Sequence, residues 1–188
     1  MIPNGVYIRE GPDYLAHELS AKLEGLDKIE STGNLQTAGT DPSGRVTVYI
    51  HERGYGWCHI EMAGEASGIA LVMDFLTAHK SLEKVMVWDC SEELAEYSYT
   101  LFQGGKLLEQ FSVKGPTLDA VSFISELRKV RLQDLIRGRD FALEALEHLG
   151  IFPKSQMDAG VRRIRLDFSL PPRTSKWRLL LGSLSGRE

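Results

Sequence analysis

Three side chains that could bind a metal or transfer protons lie close together in one predicted β-hairpin. His51, Cys58 and His59 are all types that zinc sites use. In "RVTVYIH" and "WCHIEM", apolar and polar residues alternate, and an odd-numbered loop would place Ile50 opposite Cys58 or Ile60. Cys58 then faces the core, and the opposite face holds Tyr49, His51, Trp57 and His59. The three ligands cannot converge from regular strands, so we predict no metal and no cofactor. We interpret the outward face as a contact surface or as the seat of a covering helix.

A second group of reactive side chains is the stretch "WDCSEE", residues 88–93, after the apolar run "KVMV". A carboxylate beside Cys90 would raise the pKa of its thiol, which opposes nucleophilic activation. The sequence contains no G-x-S-x-G, G-x-G-x-x-G or G-x-x-x-x-G-K-[ST] motif. We therefore interpret "WDCSEE" as a strand end that turns into solvent. An enzyme with a scattered site, in which His51 or His59 is the acid or base, remains an alternative.

Acidic residues on predicted turns near aromatic residues suggest a protein partner. Acidic surfaces attract basic partners over long range, and desolvated aromatic side chains supply most of the binding energy. We predict these partner contacts: Tyr55, Trp57, Asp89, Glu92, Glu93 and Glu96.

The C-terminal region is basic, in contrast to the rest of the chain. Residues 1–126 carry 9 Lys and Arg against 19 Asp and Glu, and residues 127–188 carry 13 against 7. A basic patch with one aromatic, Trp177, comprises Arg162, Arg163, Arg165, Arg173, Lys176 and Arg178. Such a patch could contact single-stranded nucleic acid. The overall charge of −4 and the lack of a recognised nucleic-acid motif favour an intramolecular partner for this patch instead.

Length and composition predict one globular domain over residues 1–188. The chain is 43% hydrophobic and 26% charged, and no apolar run is long enough to span a membrane. The first residues lack the features of a signal peptide, and two cysteines imply no disulfide framework, so we expect a cytoplasmic protein. Residues 31–44, rich in Gly, Ser and Thr, are predicted to be a flexible loop, and residues 151–188 a basic extension that packs on the domain.

The elements that would position these side chains form an α+β fold with a mainly antiparallel sheet. Strands are predicted at "GVYIRE", at the hairpin above and at "LEKVMVWDC", which has apolar residues on both faces. A second hairpin turns at Gly104-Gly105, and its imperfect alternation requires a bulge or a longer loop. Helical spacing marks "PDYLAHELSAKLEG", "GEASGIALVMDFLTAHKS", "TLDAVSFISELRKV" and "RLQDLIRGRDFALEALEHLG", the last ending at Gly150. The tail contains two short strand-like segments separated by Pro171-Pro172.

Part of the chain, from Leu71 to about Pro153, resembles a loosely defined group of bacterial proteins. The matching segments are "VMVWDCSEE", "YSYTLFQGGKLLEQF" and "ALEHLGIF", with Cys90 where the group usually has serine. Many members of the group look like immunity or accessory proteins of toxin systems. The resemblance implies a non-enzymatic binding role and transfers no catalytic residue. We therefore expect an intracellular protein-binding module. The alternatives are the scattered-site enzyme and a nucleic-acid accessory protein that uses the basic C-terminal region.

Overall fold

The structure is a computed structural model that describes residues 4–22, 26–30, 45–114, 120–129, 131, 139–151 and 162–169. Its strands are β1 (Gly5–Ile8), β2 (Leu26–Glu30), β3 (Arg45–Glu52), β4 (Cys58–Gly64), β5 (Val85–Ser91), β6 (Glu96–Gln103), β7 (Lys106–Lys114), β8 (Ala120–Ser125) and β9 (Arg163–Ser169). Its α-helices are α1 (Pro12–Lys22), α2 (Ala66–Ala78) and α3 (Arg139–His148). The predicted α+β class is confirmed.

All nine strands belong to one antiparallel sheet in the order β2-β9-β3-β4-β1-β5-β6-β7-β8. The sheet is therefore larger than the two hairpins that the sequence predicted. Strand β9, from the basic C-terminal region, lies between β2 and β3 as an integral part of the sheet. The predicted loop at residues 31–44 and the second strand-like segment of the tail lie outside the described residues.

Helices cover opposite faces at opposite ends of the sheet. On the α1/α2 face, Leu15, Leu19, Val72 and Leu76 pack against the inward residues of β9, β3, β4, β1 and β5. On the α3 face, the helix packs against a different core, formed by β1, β5, β6 and β7. Strand β5 contributes Val85 to the first core and Met86 and Trp88 to the second. Its burial on both faces, expected from its apolar sequence, is confirmed.

The registers of the two predicted hairpins follow from side-chain alternation. Ile50 pairs with Ile60, one of the two partners that an odd-numbered loop allows, and Cys58 packs on the α1/α2 face. In the second hairpin, Gly104 and Gly105 form a two-residue turn with φ values of 56° and 73°. A bulge shifts the β6–β7 register between Leu101 and Phe102, which resolves the imperfect alternation.

Two regions differ from the sequence-based expectation. Residues 120–125, predicted to be helical, form strand β8, which pairs with β7 over its whole length. The segment "AVSFIS" contains Val, Phe and Ile, which fit a pleated strand, and pairing with the end of the sheet outweighs the helical spacing. Strand β2 was not predicted, because its five residues are too short and too charged for a clear periodic signal.

The Gly104-Gly105 turn also sets a limit on side-chain volume. A Cβ atom on Gly105 would lie 2.5 Å from the carbonyl oxygen of Ala78, whereas a Cβ on Gly104 would lie 3.5 Å from that of Lys80. Both positions carry the left-handed strain of a non-glycine residue, but only Gly105 adds a backbone clash. We predict that Gly105→Ala lowers the free energy of unfolding by about 3 kcal/mol and Gly104→Ala by about 1 kcal/mol. Urea unfolding measures both, and equal losses would contradict this account of the turn.

Candidate functional site

The acidic corner between β5 and β6 is a tight, exposed turn. Ser91 and Glu96 form the last pair of the two strands, and the amide of Ala95 donates to the carbonyl oxygen of Glu92 at 3.3 Å. Glu92, Glu93 and Leu94 are exposed, and Leu94 keeps 59% of its surface in water. The corner therefore presents two carboxylates beside one apolar side chain.

Two of the predicted contact residues lie on the other face of the sheet. Trp88 and Tyr97 pack on the α3 face, so the alternation of β5 and β6 places Asp89 and Glu96 on the α1/α2 face. Asp89 is exposed and Glu96 is half-buried. A partner that covers the α3 side of the corner would contact Glu92 and Glu93 before it reached Asp89 and Glu96.

Helix α3 continues from this corner across the sheet. It buries Phe141, Ala142, Ala145 and Leu146, which recur with helical spacing. The helix ends at His148, and Gly150, whose φ of 83° suits glycine, terminates it. There the amide of Gly150 donates to Glu147 and that of Ile151 to Leu146, both at 2.9 Å, in a Schellman motif. The predicted stop at Gly150 is confirmed.

The solvent side of α3 is acidic, and the sequence analysis did not single it out. Asp140, Glu144 and Glu147 are exposed and recur at intervals of four and three residues, so they form one ridge along the helix. At the N-terminal end, Arg139 lies 3.4 Å from Glu92 and joins the helix to the β5–β6 corner. Residues 89–96 and 139–148 together hold seven carboxylates and one arginine.

The loop between β3 and β4 meets the C-terminal end of α3. Tyr55, in the turn Gly54–Gly56, is 70% exposed and has a positive φ of 62°. A Cβ on Gly150 would lie 3.6 Å from the Cβ of Tyr55, which places Tyr55 beside the C-terminal end of α3. We define the acidic surface as Glu92, Glu93, Leu94, Asp140, Glu144, Glu147 and Tyr55.

Trp57 is not available for partner contact, in contrast to the expectation from sequence. It is 1% exposed, belongs to the core under α3, and its indole N–H donates to the carbonyl oxygen of Leu149 at 2.8 Å. Alternation correctly placed Trp57 on the face of Tyr49, His51 and His59, but α3 covers that position. Trp57 therefore anchors the helix and positions Tyr55, its exposed neighbour.

A histidine cluster lies on the α3 face beside the area that α3 covers. His51 and His59 are cross-strand partners, and Glu61 follows on the same face of β4. His51 Nε2 lies 3.2 Å from Glu61 Oε2, a distance that suits an ion pair, although the angles are outside those of a good hydrogen bond. The histidine and carboxylate pair that a scattered-site enzyme would need is thus present.

The electrostatics of His59 and Glu61 oppose acid–base catalysis by these two side chains at neutral pH. Burial lowers the pKa of His59 to about 4, and a hydrogen bond to the Asn4 carbonyl oxygen only partly offsets this effect. The neutral ring must donate from Nε2 to Asn4, at 3.1 Å, which leaves Nδ1 to accept from Arg53 at 3.4 Å. The interaction with His51 lowers the pKa of Glu61 to about 2, so Glu61 is a weak base. Both nitrogens of His59 are therefore engaged, and this side chain links β4 to Asn4 and Arg53.

The two thiols also lack the environment of a nucleophile. Burial, and then the nearby Glu52 and Glu10, raise the pKa of Cys58 to about 12. Burial and the charge of Glu92 raise the pKa of Cys90. Neither side chain therefore forms a thiolate readily at neutral pH.

The described part of the basic patch is partly neutralised within the fold. Arg162 lies 2.6 Å from Asp13, and Arg165 lies 3.0 Å from Asp167 in the same strand. Arg163 pairs in register with His51. Arg173, Lys176 and Arg178 lie outside the described residues, so the patch as a whole stays a prediction.

Comparisons with family models, curated proteins and solved structures find no match for this chain. Among the described residues, no helix is long and apolar enough to cross a membrane. Within the same residues, no three His, Cys, Asp or Glu side chains are grouped so that they could hold a metal ion.

Proposed function

We propose that this chain is a non-enzymatic protein-binding module whose acidic surface docks a basic partner. The immunity-type resemblance of residues 71–153 suggests one class of partner, a basic nuclease-like toxin. The proposal rests on one observation: the exposed acids of α3 continue the acidic β5–β6 corner and lead to Tyr55.

The charge pattern of this surface suits rapid association with a cationic protein. Asp140, Glu144 and Glu147 recur along one side of a helix, so their fields add along a ridge. Complementary charge of this kind raises the association rate by factors of about 10 to 1,000 at low salt. Arg139 is the one arginine in residues 89–96 and 139–148. It already lies beside Glu92, so the ridge remains negative.

Apolar side chains at both ends of the ridge supply area that a partner can desolvate. Leu94 lies in the corner at the N-terminal end of α3, and Tyr55 lies at the C-terminal end. At protein interfaces, the largest losses of binding affinity on alanine substitution usually occur at aromatic side chains surrounded by polar residues. Tyr55 is held in place, because Trp57 beside it is fixed to α3 by its hydrogen bond to Leu149.

The predicted partner is tested by co-expression with the product of the adjacent gene and co-purification of the complex. The variant Asp140→Asn/Glu144→Gln/Glu147→Gln removes the ridge charges from exposed positions. We expect it to weaken binding by at least about tenfold at 50 mM salt, because each lost carboxylate removes part of the long-range attraction. Isothermal titration calorimetry measures the change.

A matched control changes the same net charge on the opposite face. Asp74, Asp89 and Glu96 lie on the α1/α2 side of the molecule, and the variant Asp74→Asn/Asp89→Asn/Glu96→Gln should bind nearly as well as the natural protein. Equal losses in the two triple variants would show that only net charge matters. An unchanged affinity in the ridge variant would remove the basis of the proposal.

A further inference from the structure

Strand β8 ends the sheet, and one side of its backbone has no described partner. The amide of Glu126 donates to the carbonyl oxygen of Leu108 at 2.7 Å, which makes this a hydrogen-bonded pair of the β7–β8 ladder. Such pairs alternate along an antiparallel ladder, so Ile124, Ser122 and Ala120 also bond to β7. The N–H and C=O groups of Val121, Phe123 and Ser125 therefore point away from β7, toward the side where the described residues provide no partner strand.

The two edges of the sheet differ in how they resist further pairing. Natural edge strands carry charges, prolines or bulges that prevent another strand from adding. Strand β2, "LDKIE", has three charged residues among its five. Strand β8, "AVSFIS", contains no charged residue and no proline. The β8 edge thus lacks these three protections, whereas the β2 edge has charge.

Exposed apolar side chains lie along this outer strand of the described sheet. Ile124 is 53% exposed, and Leu127, just beyond the end of β8, is 55% exposed. Phe123 points to the other face, where it contacts the ring of Phe141 at a centroid distance of 5.5 Å. The edge is therefore held firmly to the core on one face while Ile124 remains in water on the other.

We propose that β8 pairs antiparallel with β8 of a second copy of this chain, so that two sheets join into one. With Phe123 on the two-fold axis, Val121 lies opposite Ser125 of the second copy and the outward groups of all three residues find partners. This register gives up to six interchain hydrogen bonds, because each hydrogen-bonded pair contributes two.

Charge favours a second copy over the basic partner of the acidic surface. A basic protein gains no electrostatic attraction from an uncharged strand. An identical strand brings no like charges into opposition, which would otherwise destabilise a symmetric pair. In the Phe123-centred register, Ile124 lies opposite Ser122 of the second copy, so its exposed surface is partly covered. This inference is independent of the acidic surface, which lies on other elements.

The register makes the proposal testable with two matched variants of the full chain. Ser122 and Ile124 are exposed, so charged residues there carry little burial cost. Ser122→Lys/Ile124→Lys places lysine opposite lysine at two symmetric positions, and Ser122→Lys/Ile124→Glu places lysine opposite glutamate. Sedimentation equilibrium should give twice the chain mass of 21.0 kDa for the natural protein and for the Lys/Glu variant. The Lys/Lys variant should dissociate at least about tenfold more readily.

Other outcomes would overturn the proposal. A natural protein that stays monomeric at 100 μM would exclude the pairing, and a dimer unaffected by the Lys/Lys change would place the interface elsewhere. Loss of the dimer in both variants would exclude this register. Hydrogen exchange of the natural protein provides a test without substitutions: the amides of Val121, Phe123 and Ser125 should be protected at high protein concentration and lose protection on dilution.

Discussion

Arg128→Met is expected to lower the free energy of unfolding by about 3 kcal/mol, because it leaves a buried carboxylate without its cation. Glu109 is 4% exposed and accepts hydrogen bonds from Arg128 Nη2 at 2.7 Å and Arg128 Nε at 3.1 Å. Ser125 and Tyr99 also donate to this carboxylate. The arginine lies over the ring of Phe141, with Cζ 4.8 Å from the centroid, so methionine preserves part of the packing. Chemical unfolding followed by circular dichroism measures the loss.

A triple change separates the effect of the buried charge from that of lost packing. Replacing both partners of a buried ion pair by apolar residues of similar shape is often nearly neutral. Glu109→Met in addition to Arg128→Met, with Tyr99→Phe to remove the hydroxyl that donates to Glu109, should recover about 2 kcal/mol of the loss. If the triple variant is less stable than Arg128→Met alone, the cost came from packing and the argument from desolvated charge is wrong.

As the pH is lowered, the protein should begin to lose stability at pH values well above those at which carboxylates become protonated. His59 is fully buried and stacks on Tyr7 at a centroid distance of 4.7 Å. Because burial lowers its pKa from 6.5 to about 4, the unfolded chain binds a proton at His59 before the folded protein does. Stability is therefore complete above pH 6.5 and falls as the pH decreases to 4, by about 3 kcal/mol. The lowered pKa of Glu61 extends the decline from pH 4.5 toward pH 2.

The matched variants for this prediction are His59→Gln and His148→Gln. Glutamine at position 59 retains an N–H donor for the Asn4 carbonyl oxygen but does not titrate, so the decline between pH 6.5 and 4 should become much shallower. His148 is exposed at the end of α3, and its replacement controls for the loss of an imidazole from the surface. Urea unfolding at half-unit pH intervals provides the data. A His59→Gln profile with the same slope as the natural protein would contradict the role of His59.

Much of the sheet could be predicted because alternation has a period of two and a single slip reverses every side chain. This constraint limited the partner of Ile50 to Cys58 or Ile60, and the structure has Ile60. It also predicted the separation of Cys58 from His59, and a bulge or a longer loop in the second hairpin, of which the structure has the bulge. It failed for residues 120–125, where Val121 and Ile124 also fit helical spacing. These residues form a strand because they pair with β7, and local periodicity carries no information about such a long-range partner.

The sequence predicted the negative charge of the candidate site better than it predicted which face of the sheet each acid occupies. The sequence identified the acids at residues 89–96, but only the strand pairing shows that Asp89 and Glu96 lie on the face opposite to α3. The α3 acids had a readable signal, since Asp140, Glu144 and Glu147 occupy the polar positions of an amphipathic helix. Glu109 had one too, since it shares the inward parity of Phe111 and Val113, but its partner Arg128 could not be read from sequence.

The central claim, that the acidic surface docks a basic partner, is tested most directly by the association rate constant at several salt concentrations. Stopped-flow mixing with the co-purified partner would compare the natural protein with the variant Asp140→Asn/Glu144→Gln/Glu147→Gln. We predict that the natural rate falls at least about tenfold between 20 and 300 mM salt, and that the variant is slower at low salt and less dependent on it. A rate that is independent of salt, or identical for the two proteins at 20 mM, would contradict the claim.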